Sequence, residues 1–249
     1  MDNLVSSKFI DSSRHHTSVT TINGVALSAA NKFGGGSGFF NGTNTALQIP
    51  NNPDFDFSSG NWTFDAWFNP SSFAAPQAIV SKAYPNAGLD YAPAKFDWGL
   101  VISNSTTLTF YSNLLTDQYH SFPVPAMSTG SWYHVALVHL SGSTHVYLNG
   151  ISYGSTNLSI NNSPFADIYI GESPLTSTLF DFSPTLYFHG YIDEVRITKG
   201  QALWTSNFDT SLPTEAAADG PSKTTQLLPT GSPTQLGSSG PTTYTHGNS

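Results

Sequence analysis

Short apolar runs with a two-residue period, separated by turn residues, constrain the fold of this chain more than any other feature. The clearest run has apolar side chains at alternate positions, which share one face of an extended strand: Trp62, Phe64, Ala66 and Phe68. Residues 132–140 are largely apolar at both sets of alternate positions, so both faces of the strand are apolar, a pattern typical of a central strand. No segment repeats its apolar residues with the helical period, so the sequence predicts helices of a single turn at most.

Turn signals divide the chain into about a dozen strands, which the short connections require to pair antiparallel. Asn149-Gly150 is the favoured residue pair for a type I′ turn and predicts a hairpin. Further strands are predicted at 77–82, 97–103, 107–112, 166–171 and 187–198. We therefore predict an all-β, two-sheet antiparallel jellyroll sandwich. The expected core residues are Trp62, Phe64, Phe68, Trp132, Val135, Leu137, Val195 and Ile197.

Charge and composition exclude several classes of partner. Charged residues make up 10% of the chain, which has 8 Lys and Arg and a formal net charge of −8. The sequence contains no basic run, so we expect no nucleic-acid partner. No apolar run approaches the roughly 20 residues of a membrane span, so we expect no membrane partner. The absence of cysteine excludes disulfides and thiolate chemistry.

Composition divides the chain into a domain at 1–213 and an extended C-terminal arm at 214–249. The arm is rich in Thr, Ser, Gly and Pro and has too few apolar residues to fold alone. We expect it to order on a neighbouring subunit, because a sheet edge of the sandwich is open to strand addition. Its expected anchors are Leu227, Leu228, Leu236 and Tyr244. The alternatives are a disordered linker and an arm that folds back on its own domain.

Several stretches carry a resemblance to a known family. They are 31–42, 54–64, 132–138, 148–150, 190–200 and 204–208. Together they resemble the laminin-G-like jellyroll domains of the concanavalin A-like lectin/glucanase superfamily, and 190–208 is most similar to versions in bacteriophage virion proteins. One departure is that only Leu4-Val5 precedes the residues that match Phe9 to Ser13. The family's first strand is therefore short, missing, or supplied by another segment or subunit.

The resemblance implies a structural calcium ion held by Asp193 and Asp11. Strand alternation places Asp193 on the same face as Val195 and Ile197, at the margin of the core. A carboxylate there needs a partner, and calcium takes carboxylate and backbone carbonyl oxygens. The alternative is that Asp193 accepts hydrogen bonds from the backbone N–H groups of a neighbouring loop.

The sequence predicts that the protein is not an enzyme. The glucanases that share this resemblance place their carboxylates on one strand as Glu-x-Asp-x-Glu, and no such string occurs. Asp54 and Asp56 have the spacing but lie in a Pro-led loop, and Asp193 and Glu194 should point to opposite faces. A glycoside hydrolase is therefore the function that the sequence favours least.

Aromatic residues on two long inserts are the candidate binding residues. They are Tyr84, Tyr91, Phe180, Phe182 and Tyr187. Sugars stack on such rings, and the family implies glycan binding at loop-bearing edges. The alternative is that these rings pin their loops or fill a subunit interface, where Tyr and Phe are also enriched.

The sequence favours a non-enzymatic structural protein on the surface of a bacteriophage particle, as a capsid decoration protein or a component of a head or tail fibre. Its expected partners are other virion proteins, copies of itself and a host-surface glycan. The start of the chain lacks the pattern of a signal peptide, so we expect the protein to stay in the cytoplasm or to leave it by another route, such as inside a virus particle. For a phage structural protein the expected localisation is the virion. The alternative function is a bacterial carbohydrate-binding, lectin-like module.

Overall fold

The structure is a computed structural model that describes residues 4–5, 9–11, 16–33, 36–84, 96–112, 118–160, 162–173, 185–211 and 223–229. The strands are β1 (Leu4–Val5), β2 (Phe9–Asp11), β3 (Thr20–Ile22), β4 (Ala26–Ser28), β5 (Ser37–Asn41), β6 (Ala46–Ile49), β7 (Trp62–Pro70), β8 (Gln77–Ala83), β9 (Phe96–Asn104), β10 (Thr107–Ser112), β11 (Gln118–Pro123), β12 (Tyr133–Leu140), β13 (Ser143–Leu148), β14 (Ile151–Thr156), β15 (Asp167–Ile170), β16 (Glu172–Ser173), β17 (Leu186–Tyr187), β18 (His189–Lys199) and β19 (Lys223–Pro229). The single helical element within these residues is a 3-10 turn at Pro53–Phe55. None of the described helices is long and apolar enough to cross a membrane.

Two antiparallel sheets form the sandwich, as the sequence predicts. The first sheet has the strand order β1-β3-β6-β15-β8-β9-β10-β11. The second sheet has the order β14-β13-β12-β7-β18-β19-β2, with β5 also paired to β18 and β4 paired to β5. The neighbours pair antiparallel throughout, which confirms the all-β jellyroll prediction.

The core lies between the two sheets and is dominated by aromatic rings. The alternating face of β7 packs into it: Trp62, Phe64, Ala66 and Phe68 are all buried. The indole of Trp62 stacks on Trp98 of the first sheet with ring centroids 5.4 Å apart. Burial is also confirmed for Val135, Leu137, Val195 and Ile197.

The prediction that Trp132 belongs to the core is wrong. The strand begins one residue later, at Tyr133, so Trp132 lies before the strand at the end of the sheet and is half-buried.

A β-bulge in β18 overturns the predicted orientation of Asp193. Asp193 pairs with Trp67 and Arg196 pairs with Asp65, so two residues of β18 oppose Ala66 alone. Glu194 takes up the extra residue with a φ of 51°. The bulge shifts the alternation by one position, and Ile192, Val195 and Ile197 therefore all join the core. Asp193 lies on the outer face of the second sheet instead of sharing a face with Val195.

The predicted Asn149-Gly150 hairpin is present, and a strap crosses it. Both residues have positive φ, as a type I′ turn requires. The strap, residues 200–211, lies over the outer face of β12 and β13, where Trp204 and Phe208 pack on a buried patch of the second sheet. The backbone N–H of Phe208 donates to the carbonyl of Gly150 at 2.9 Å, so hairpin and strap hold each other in place.

Part of the C-terminal arm belongs to the second sheet of the same chain. In β19, Leu227 pairs with Val195 on one side and with Asp11 on the other, and Leu228 pairs with Ile10. This placement is the folded-back alternative. Leu236 and Tyr244 lie outside the described residues.

Candidate functional site

One end of the sandwich gathers several strand termini of the first sheet. β6 and β8 end there and β9 and β15 begin there, because Ile168 pairs with Ile49 and Asp167 pairs with Ala83. We call the side chains that meet at this end the loop-end cluster. It comprises Asn51, Lys82, Tyr84, Asp97, Asn162, Ser163 and Phe165. Tyr84 is the one member that the sequence picked out.

A buried ion pair forms the base of the loop-end cluster. Lys82 Nζ lies 2.9 Å from Asp97 Oδ2, and the two side chains are 0% and 4% exposed. The ammonium also donates to Asn162 Oδ1 and, at 3.4 Å, to the carbonyl of Ser163. Burial raises the pKa of Asp97, although the Ser163 N–H and Lys82 act in the opposite direction. The ion pair ties the ends of β8 and β9 to the loop that precedes β15.

Ser163 connects the members of the cluster. Its backbone N–H donates to Asp97 Oδ2 at 2.8 Å, and its hydroxyl donates to the hydroxyl of Tyr84. The same hydroxyl accepts from the backbone N–H of Phe165 at 3.2 Å. Asn51 adds a bond from its Nδ2 to the carbonyl of Pro164 at 2.9 Å. The 162–165 turn is therefore anchored through its backbone and its polar side chains.

Phe165 is the most exposed large apolar residue among those described. Its side chain is 70% exposed, although the turn that carries it is fixed on both sides. The ring is therefore accessible to contact another molecule. Sequence reasoning missed this residue, and the available signal was an aromatic residue after Ser163-Pro164 in a turn between two strands.

The structure separates the predicted aromatic residues. Tyr84 is half-buried and bonds to Ser163, which is the loop-pinning role. Tyr187 pairs with Glu172 in the small β16–β17 hairpin. This hairpin packs on the outer face of the first sheet. Burial raises the pKa of Glu172 to about 7, and Tyr187 has a raised pKa through burial and the Glu172 charge. Tyr91, Phe180 and Phe182 lie outside the described residues.

Asp193 contacts backbone donors. Its Oδ2 accepts from the N–H groups of Lys32 at 2.9 Å and Phe33 at 3.4 Å, and its Oδ1 accepts from Glu194 at 2.9 Å. Asp11 Oδ2 accepts from the N–H of Thr17 at 2.8 Å. Within the described ranges, no group of three or more His, Asp and Glu side chains could ligate a metal. These contacts of Asp193 are those of the alternative, and the calcium site stays a prediction.

Carboxyl groups near the bulge are strongly perturbed. Burial, opposed by three N–H donors, leaves the pKa of Asp193 raised to about 6. Burial and the charges of Asp193 and Asp65 raise the pKa of Glu194 to about 8. The spaced pair in the Pro-led loop has an ordinary turn role, because Asp56 accepts from the N–H of Ser58 at 3.0 Å and from its hydroxyl at 2.6 Å.

The two antiparallel sheets define the class of jellyroll β-sandwiches. The laminin-G-like model described as the concanavalin A-like lectin/glucanases superfamily matches residues 41–203. The chain belongs to this superfamily. A search of curated protein sequences finds no match.

Three solved structures illustrate the likeness of fold. The CBM40 of the Ruminococcus gnavus IT-sialidase, bound to α2,3-sialyllactose, has 13% identity and a TM-score of 0.50 over 67% of this chain and 89% of that chain. A Trypanosoma rangeli sialidase mutant has 12% identity and a TM-score of 0.50 over 78% of this chain and only 28% of that one. Domain 4 of a Geobacillus stearothermophilus arabinanase, in complex with arabinotriose, has 21% identity and a TM-score of 0.46 over 70% and 75%.

Proposed function

We propose that the protein is a non-catalytic carbohydrate-binding module whose glycan contacts the loop-end cluster. The observation that carries the proposal is the exposed ring of Phe165 on an anchored turn. The C–H face of a sugar ring is apolar, and an aromatic ring offers matching apolar surface. Superfamily membership supports the proposal.

Anchoring matters because it lowers the entropic cost of binding. A ring on an ordered turn is already in its bound position, so less conformational freedom is lost when a ligand covers it. Tyr84 and Ser163 hold the turn from below, and the hydroxyl of Tyr84 is half-buried in the cluster. In this proposal Phe165 contacts the sugar, whereas Tyr84 is a positioning residue.

The charge of the cluster favours a neutral glycan. Lys82 is fully buried and paired with Asp97, and Lys199 donates to the carbonyl of Pro53 at 3.4 Å. Asp54 and Asp56 lie at the same end of the sandwich. Among the described residues of this end, carboxylates therefore outnumber unpaired cations, which disfavours sulfated or sialylated chains.

The test is a glycan array followed by calorimetric titration of the best neutral oligosaccharide. We expect Phe165→Ala to weaken binding at least tenfold and Phe165→Trp to retain it. Ile151→Ala is the matched control, because Ile151 is 45% exposed at the opposite end of the sandwich. If Phe165→Ala binds every array ligand as the parent chain does, the loop end is not the binding surface.

We propose display on a bacteriophage particle, as a decoration or fibre protein, as a second candidate. The resemblance of 190–208 to versions of the domain in bacteriophage virion proteins supports it. Mass spectrometry of purified phage particles that encode this chain would test it. The proposal requires the chain in stoichiometric amount in intact particles, and its absence from them would refute this location.

A further inference from the structure

The second sheet contains a slot that is one strand wide. Its walls are the second half of β18 and the short strand β2, and β19 occupies it. Five residue pairs join β19 to β18, from Val195–Leu227 to Lys199–Lys223. Three more join β19 to β2, from Asp11–Leu227 to Phe9–Pro229. The occupant is therefore paired through its backbone on both sides.

The strands on both sides of the slot depend on the strand that occupies it. β5 pairs with His189 to Ile192 of β18 only, so the half of β18 from Val195 onward depends on β19 for a partner on that side. β2 pairs with β19 among the described strands, and its residue Phe9 is 3% exposed in the main core. An empty slot would thus expose a sheet edge and release the strand that carries a core phenylalanine.

The occupant comes from a part of the chain that does not fold alone. Residues 214–249 have too few apolar groups to form a core of their own, and the part of them that the structure describes, 223–229, lies in the slot. Residues 212–222 separate it from the strap, and a stretch of that length spans up to about 35 Å when extended. The same segment of another copy presents an identical sequence and an identical pairing register.

We propose that this slot is a strand-acceptor site, and that it accepts residues 223–229 from a second copy of this chain. Two copies that exchange this strand keep every backbone hydrogen bond of the single chain and become linked. The free-energy difference between the closed and exchanged forms is then small, so exchange depends on protein concentration and on the connection at 212–222. The partner is a copy of the chain.

The chain has no cysteine, which permits a direct test. Thr198 pairs with Thr224 across β18 and β19, and Thr198 is 0% exposed. Purified Thr198→Cys and Thr224→Cys variants are mixed at high concentration and oxidised slowly. We expect a covalent dimer whose 198–224 disulfide is identified by peptide mass spectrometry. Random collision cannot form it, because the Thr198 position is reached only by a strand seated in the slot.

Lys199→Cys with Lys223→Cys provides a second pair if Thr198→Cys does not fold. Neighbouring antiparallel pairs alternate between close and wide spacing, so one of the two pairs suits a disulfide. Thr198→Cys mixed with Ser206→Cys, in the exposed part of the strap, is the collision control.

Two results would overturn the proposal. One is an intramolecular disulfide in the Thr198→Cys/Thr224→Cys double variant with no cross-link in any mixture, since the strand then stays in its own chain. The other is the absence of a disulfide in all of these samples, since residues 223–229 then do not occupy the slot.

Discussion

At the residue scale, the buried charges are the most consequential groups in a chain that has few charges. Arg196 Nε lies 2.8 Å from Asp65 Oδ1 and its Nη2 lies 3.0 Å from Oδ2, beneath the strap. Burial acts to raise the pKa of Asp65, but Arg196 and His134 outweigh it and the pKa is lowered. Such a bidentate pair is intact only while both partners are present, because either charge alone would be buried without compensation.

Removing one partner of this pair should therefore cost more than removing both. We expect Arg196→Met to lower the free energy of unfolding by about 3–5 kcal/mol, because it leaves the buried carboxylate of Asp65 without the arginine that pairs with it. The Asp65→Leu/Arg196→Met double variant should recover a substantial part of that loss. Urea denaturation of the parent, both single variants and the double variant closes the cycle. Additive losses would mean that the two side chains act independently.

Asp193 supports a second prediction at this scale. Asp193→Ala removes the acceptor for the N–H groups of Lys32 and Phe33, so we expect a loss of about 1–3 kcal/mol and faster amide exchange at both positions. Asp209→Asn, in the exposed end of the strap, is the matched carboxylate control. A chelator-dependent fall in melting temperature of the parent chain would instead establish the calcium site that the family resemblance implies.

Residue-scale features show where sequence reasoning reaches its limit. The alternation of inward and outward side chains in β7 is predictable, because every second residue of an uninterrupted strand points to the same face. In β18 the bulge at Glu194 exchanges which residues face the core and which face outward. No local sequence pattern predicts that Glu194 takes a φ of 51°. The pairing of Asp65 with Arg196 and the role of Ser163 in fixing Phe165 depend on long-range contacts, so they emerge only after the chain folds.

At the element scale, the strap and the hairpin beneath it form one unit. A Cβ placed on Gly150 would lie 2.0 Å from the carbonyl oxygen of Phe208, so only glycine permits this approach. Trp204 and Phe208 stack with centroids 3.9 Å apart and cover His134. The Asn149-Gly150 turn was predictable from its residues alone. The strap was not, because a segment without strand periodicity gives no sign of the surface that it covers.

Gly150→Ala should therefore detach the strap. Gly130 is the matched control, since it has a φ of 77°, close to the 76° of Gly150, but nothing lies within 4 Å of an added Cβ. We expect Gly130→Ala to cost about 1 kcal/mol through backbone strain alone. Gly150→Ala should lower the free energy of unfolding by about 1–3 kcal/mol more than Gly130→Ala does. It should also raise the solvent exposure of Trp204, which tryptophan fluorescence measures. Equal losses in the two variants would mean that the strap does not press on the hairpin.

The element scale also explains why the C-terminal arm was placed only in part. Its composition indicates an extended segment that needs a partner, and β19 is such a segment. Composition cannot tell which edge accepts it or from which chain, because any open sheet edge offers main-chain hydrogen bonds to an added strand. The short first strand in the sequence pattern predicted that a sheet edge is open to strand addition, without indicating which edge, and β19 pairs with β18 and β2.

At the scale of the whole molecule, the buried carboxyl groups set the pH dependence of stability. The pKa of Glu194 is raised to about 8 and that of Glu172 to about 7, both chiefly by burial. Between their ordinary pKa and these raised values the folded state binds more protons than the unfolded state. The free energy of unfolding therefore falls as the pH rises. His139 acts in the opposite direction because burial lowers its pKa, but that contribution is complete once the pH exceeds the ordinary histidine value.

The window from about pH 6.5 to 8.5 consequently isolates the carboxyl groups. We expect the free energy of unfolding to fall across it, with a slope of up to about 1.4 kcal/mol per pH unit for each carboxyl that ionises. Glu194→Gln should flatten the profile, since a neutral amide in that buried position has no proton to lose. Asp209→Asn removes an equal charge from a carboxyl that stays ionised throughout the window, so its profile should parallel that of the parent. Thermal unfolding in matched buffers gives the measurement. A parent profile that is flat or rises from pH 6.5 to 8.5 would show that Glu194 and Glu172 are already ionised in the folded sandwich.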